Sequence, residues 1–119
     1  MKTTFQPGHL TDTALSQAMD GLWARFLPDI RDRVSVLEAA AQVASKGKLT
    51  AKQREAAQTA AHKLAGVLGT FGLTRGTVLA RELEMKLARE SSPGRNTGVK
   101  LAETAAELRS MIESRKPSA

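Results

Sequence analysis

The sequence predicts an all-α protein: an antiparallel up-down-up-down four-helix bundle with an accessory N-terminal helix. Three observations carry that expectation. Helix formers dominate, with 19 Ala and 14 Leu against 6 Val, 2 Ile, no Tyr and 3% aromatic residues, a balance unsuited to pleated sheets. Apolar residues recur every three or four positions in four successive segments after Pro28, which is the period of a helix with one face turned inward. The breaks between these segments are short, and short connections make consecutive helices antiparallel neighbours. A chain of 119 residues fits one domain, able to bury about two-thirds of its unfolded surface.

Met1 to Leu10, with Pro7, Gly8 and several polar residues, reads as a flexible leading segment without the apolar stretch of a signal peptide. A first helix is expected from about Asp12, with Leu15, Met19 and Leu22 starting the core. Pro28 either ends that helix near Leu27 or kinks a longer one. The stripe Trp23, Phe26, Ile30, Val34, Leu37, Ala41 and Ala44 follows, and Gly47 suits the left-handed position past a helix end. Thr50 and Gln53 have the spacing of a capping box. Behind them runs the stripe Ala57, Ala60, Ala61, Leu64, Leu68 and Phe71, stopped by Gly72. Thr74 can cap a third segment, in which Leu79, Ala80, Leu83 and Leu87 repeat up to about Glu90. Ser91 to Gly98, reading SSPGRNTG, is a turn-rich linker. The last helix is expected from Val99 to Ser114, with Leu101, Ala105, Leu108 and Ile112 inward. The bundle domain thus covers residues 11–116, and 117–119 form a tail.

The absence of Cys removes disulfide scaffolds, thiolate nucleophiles and Cys-based zinc sites together. No window approaches the ~18–20 consecutive apolar residues of a membrane span, so a cytoplasmic location and no membrane partner are expected. The formal charge of +6 suits an anionic partner. The basic residues are nevertheless scattered and mostly interleaved with acids. Their densest run, Lys46, Lys48, Lys52 and Arg54, lacks the aromatic interleaving that stacks on bases, so no nucleic acid is expected and a basic nucleic-acid binder is the lesser alternative. No phosphate-binding glycine loop and no metal-cage spacing of carboxylates are present. The chain is therefore expected to hold no metal or cofactor of its own and to perform no autonomous catalysis.

His62 stands out. At ~100° per residue it falls roughly 140° from the centre of the Ala57–Phe71 stripe, so its ring points to solvent or to the flank. Gly66 and Gly69 follow one and two turns on, on the same face. Each costs on the order of 1 kcal/mol relative to Ala in a helix interior, and leaves bare backbone where another surface can come close. Helical projection places Glu55, Gln58, Thr59, Ala65, Gly66 and Gly69 around the ring as a candidate docking face.

The string His62-Lys63-Leu64-Ala65-Gly66-Val67-Leu68-Gly69-Thr70-Phe71-Gly72-Leu73 resembles the signature of histidine-containing phosphotransfer (HPt) domains. That signature has an apolar residue two positions after the His, a Gly four after it, and small residues at seven and ten, matched here by Leu64, Gly66, Gly69 and Gly72. Ala61 also fits, Leu83-Glu84 matches a Leu-Glu pair of the following helix, and Leu22-Trp-Ala-Arg-Phe-Leu-Pro resembles a leading segment found in bacterial members. One departure is Ala65, where many members carry Lys. Lys63 points away from the glycines, so another basic side chain assists, or the phosphohistidine is less stabilised, or the domain has turned to simple docking.

The resemblance implies a monomeric phosphoryl carrier of a bacterial two-component phosphorelay. His62 would accept a phosphoryl group from a receiver aspartate or a histidine kinase, including a hybrid kinase, and pass it to a response-regulator receiver. The partner receiver would contribute Mg²⁺. An imidazole with the ordinary pKa of about 6.5 suits this work, because it is largely neutral and nucleophilic near pH 7. The alternative is an adaptor that docks receivers or kinases without being phosphorylated.

Overall fold

The computed structural model describes residues 7–89 and 94–116. Four helices follow one another: α1 (Pro7–Lys46), α2 (Ala51–Thr70), α3 (Thr74–Arg89) and α4 (Arg95–Ser114). There is no strand among the described residues. Positions 1–6, 90–93 and 117–119, including most of the expected leading segment and the tail, lie outside them.

The accessory N-terminal helix is present as the leading part of α1, joined to the bundle without a break. This one 40-residue helix contains Pro28, where an end or a kink was expected, and it takes in positions 7–10 from the segment expected to be flexible. Proline removes the bond to the carbonyl four residues earlier. Here that carbonyl belongs to Ala24, and both residues are exposed, so water can satisfy it and the helix continues.

Cross-helix bonds set the directions. Along α1 and α4, Arg31 grips Glu113 with two hydrogen bonds of 2.8 and 2.7 Å, and Arg109 grips Glu38 at 2.7 and 2.8 Å. Further along the same seam, Gly98 lies against Ala44 and Ser45. Rising positions on α1 meet falling positions on α4, so the pair is antiparallel. On the other side, Arg54 of α2 donates to the Leu87 carbonyl of α3 at 2.9 Å, and Thr77 of α3 donates to the Ala65 carbonyl at 3.1 Å. That pair is antiparallel too, and Arg75 ties α3 to Glu107 of α4 at 3.1 Å.

Local signals define α2 at both ends. Thr50 Oγ1 accepts from the Gln53 backbone N–H at 3.1 Å while Gln53 Oε1 accepts from the Thr50 N–H at 2.9 Å, completing the capping box. Gly72 takes a left-handed φ of 73°, which lets the Gly72 and Leu73 amides fold back on the Gly69 and Leu68 carbonyls. Gly47, expected to be left-handed, is not: among the described residues Gly72 is the one with positive φ.

The core is made almost wholly of Leu and Ala. Ile30 and Val34, Leu64 and Leu68, Leu79, Leu83 and Leu87, and Leu101 and Leu108 are fully buried, each contributing about 1.5–3 kcal/mol. The stripe at the start of α1 departs from expectation. Leu15 is 57% exposed and Leu22 and Phe26 are exposed as well, because α4 ends at Ser114, close behind the Glu113 that reaches only to Arg31. Trp23 is the first large side chain to be buried. Its ring meets Phe71 edge-on at 5.1 Å, and the Arg115 guanidinium sits 4.9 Å above it.

Helix α4 starts at Arg95 rather than Val99, so the second half of the expected linker is helical. Gly98 explains the difference. A Cβ there would come within 2.4 Å of the Ser45 backbone nitrogen, so glycine allows α4 to run against α1 where another residue would hold it off. Gly98→Val should therefore destabilise the bundle by on the order of 3 kcal/mol, read as a lower urea midpoint, whereas Gly94→Ala, with open space at its Cβ, should cost far less.

The α1–α4 seam is pH-sensitive on the acid side. Hydrogen bonding from Arg31, with further attraction from Arg31 and Arg109, holds the Glu113 carboxyl below the usual glutamate range despite the opposing effect of burial. A pKa lower in the folded state contributes stability above the ordinary glutamate range and loses it as pH falls through the lowered value. The gap in melting temperature between wild type and Glu113→Gln should accordingly hold from pH 7 down to about pH 5 and close in more acid solution.

Candidate functional site

Helix α2 buries Ala57, Ala60, Ala61, Leu64, Ala65 and Leu68 and so turns its opposite face outward. His62 stands at the edge of that face nearest α3, with 71% of its side chain exposed, and its Nδ1 lies 2.8 Å from Oε2 of Glu84, whose side chain is 24% exposed. An ionised carboxylate can only accept. The neutral imidazole must then carry its proton on Nδ1, which leaves the lone pair of Nε2 directed away from Glu84.

The surroundings of the ring are uneven. Nothing lies within 4 Å of the place a Gly66 Cβ would occupy, so the helix is bare one turn beyond the histidine. Gly69 differs, since a Cβ there would approach Thr77 Oγ1 at 3.3 Å. It serves the approach of α3. Ala65, projected onto the docking face, is instead only 2% exposed, because it turns towards α3 and its carbonyl accepts the Thr77 hydroxyl. It leaves the accessible set. Glu55, Gln58 and Thr59 line a shallow depression together with His62, Lys63 and Glu84.

The basic run is only partly a surface feature. Lys46, Lys48 and Lys52 are exposed, but Arg54 is half-buried with its guanidinium on the Leu87 carbonyl, so it holds α3 rather than facing a partner. Among the described residues no group of three or more His, Asp or Glu could hold a metal ion, and no helix is long and apolar enough to cross a membrane.

The site is thus an outward histidine in the second helix, oriented by the third and flanked by bare backbone. The model of the Hpt domain family matches residues 21–116. The chain belongs to the Hpt domain family. Hpt domains carry phosphoryl groups on histidine within phosphorelays. The protein RcaC of Microchaete diplosiphon is 36% identical over 83 residues, which cover 66% of this chain and 13% of RcaC. The Hpt chain thus spans a small part of that relative. No solved structure gives a significant match.

Two residues that the structure brings to this candidate site are beyond the reach of spacing arguments. Thr77 carries no sequence signal, since its role comes from the level at which α3 meets α2. Glu84 was marked by resemblance alone; its contact with a histidine 22 positions away follows from the antiparallel register. The contact has a spectroscopic consequence. Nitrogen-15 NMR of neutral His62 should show the Nδ1–H tautomer, and Glu84→Ala should return the ring to a mixture of the two forms while leaving the helical circular dichroism unchanged.

Proposed function

We propose that this Hpt domain carries a phosphoryl group on Nε2 of His62, taking it from a receiver aspartyl phosphate or a histidine kinase and giving it to another receiver domain. The observation that supports this most is the pairing of Nδ1 with Glu84 on a ring that is otherwise exposed beside Gly66. A nucleophile needs an available lone pair and an unobstructed approach, and both are provided here.

In the forward step the Nε2 lone pair attacks phosphorus, the N–P bond forms, and the P–O bond to the aspartyl carboxylate breaks. The carboxylate leaves with the electron pair, and no proton has to move at Nε2. The ring, still protonated on Nδ1, becomes positively charged, and the Glu84 carboxylate stabilises that charge as it develops. Positioning and charge neutralisation otherwise come from the partner. Its Mg²⁺ would serve the acyl phosphate, so this chain works as a carrier without catalysis of its own.

Docking would use the open face formed by Glu55, Gln58, Thr59 and Gly66, with Gly69 at its edge. The +6 charge favours encounter with an acidic partner at low salt. We place the protein in the cytoplasm as a monomer, where receivers and kinases meet it.

Incubation with a phosphorylated receiver should yield acid-labile label on the wild-type protein. His62→Gln should abolish that label with helicity and melting unchanged. Label persisting in the variant would refute the assignment, and receiver binding that survives without any transferred label would favour the docking adaptor instead.

A further inference from the structure

A phosphoryl group on His62 brings about −1.5 to −2 charges next to Glu84, which is itself an anion. Something positive has to lie near it. The position three residues beyond the histidine cannot help, because Ala65 is small and buried. Lys63 lines the same shallow depression as His62 and Glu84, but it is rooted roughly 100° around α2, on the flank of the ring opposite Gly66.

Helix α3 offers a better-placed cation. Thr77 meets the Ala65 carbonyl and Glu84 meets His62, so the edge of α3 running between these two residues lies along the flank of the histidine. Arg81 stands on that edge, four residues after Thr77 and three before Glu84, and residues so spaced are neighbours on one face of a helix. It is exposed and sits at the level of His62 and Gly66, where the missing side chain at Gly66 leaves open space.

Arg81 is also uncommitted. Arg31, Arg75, Arg109 and Arg115 are paired with carboxylates, and Arg54 holds a backbone carbonyl. Arg81 makes no hydrogen bond or ion pair among the described residues. Its planar fork of N–H donors matches phosphoryl oxygens in pairs.

We propose that Arg81 is the positioning residue that holds the phosphoryl group on His62, supplying positive charge from α3 on the Gly66 side of the ring. The inference rests on His62 being the phosphoryl acceptor. In the phosphorylated state the guanidinium swings over Gly66 to the non-bridging oxygens, Glu84 keeps the Nδ1 proton, and the two opposite charges on α3 serve opposite ends of the phosphoimidazole.

The test needs no cognate partner. Phosphoramidate phosphorylates histidine directly: its P–N bond breaks, ammonia leaves, and the Nε2–P bond forms. Phosphorus-31 NMR then gives the pH midpoint at which the bound group passes from monoanion to dianion, and the decay of the signal gives its half-life. A cation in contact favours the dianion, so Arg81→Gln should raise that midpoint by roughly half a pH unit and shorten the half-life severalfold, with Arg81→Lys in between. Lys100→Gln, on α4, which does not touch α2, should change neither. An unmoved midpoint and half-life in Arg81→Gln would overturn the role of Arg81 alone, as would an equal shift in Lys100→Gln. A wild-type protein that takes no label on His62 would overturn the relay reading and this inference with it.

Discussion

The close approach of α2 and α3 is the constraint on which the site depends. Ala61, Ala65 and Gly69 on one helix, and Gly76 and Ala80 on the other, keep the seam thin; a Cβ on Gly76 would already press on Leu68 at 3.0 Å. Only at that separation can the short arm of Glu84 reach the imidazole and the Thr77 hydroxyl reach a main-chain oxygen. No polar or charged residue among the described ones is buried as a whole, although Nε of the half-buried Arg54 lies in this seam without a partner. Apolar packing therefore positions the polar chemistry on its rim.

The opposite seam has a different construction. Between α1 and α4, bidentate arginine–carboxylate pairs run along the surface, and Gly98 allows backbone contact near the far end. Exposed pairs of this kind contribute little each, but their fork geometry specifies register. The two seams divide the work: α1 and α4 form a braced back, while α2 and α3 present an uncluttered front. Arg115 closes one end of the back by stacking on Trp23 and Phe71 while pairing with Asp20.

Sequence reasoning succeeded where the physics is local. The Thr50–Gln53 box, the stop at Gly72 and the inward stripes of α2, α3 and α4 involve residues within a turn or two of one another, and the outward direction of His62 follows from 100° steps alone. It failed where a distant element decides. Of the two readings of Pro28, the helix end near Leu27 is excluded by the continuous α1, whose residues on both sides of the proline, Trp23 and Ile30, are buried in the core. Leu15, Leu22 and Phe26 have the period of a core stripe, yet period says nothing about whether a neighbour is there to cover them. Gly98 reads as a turn residue until α1 lies against it. In the site, Ala65 projects near the histidine but α3 covers it, and the pairing of Glu84 with the ring needs a register that spacing does not contain.

The hydrogen bond from His62 to Glu84 also determines chemical identity. A ring tied down by its Nδ1 offers a single nitrogen to an incoming group, the one remote from the side-chain stem. A carboxylate three turns along a neighbouring helix thus selects which of two nitrogens in the same ring is left open to react.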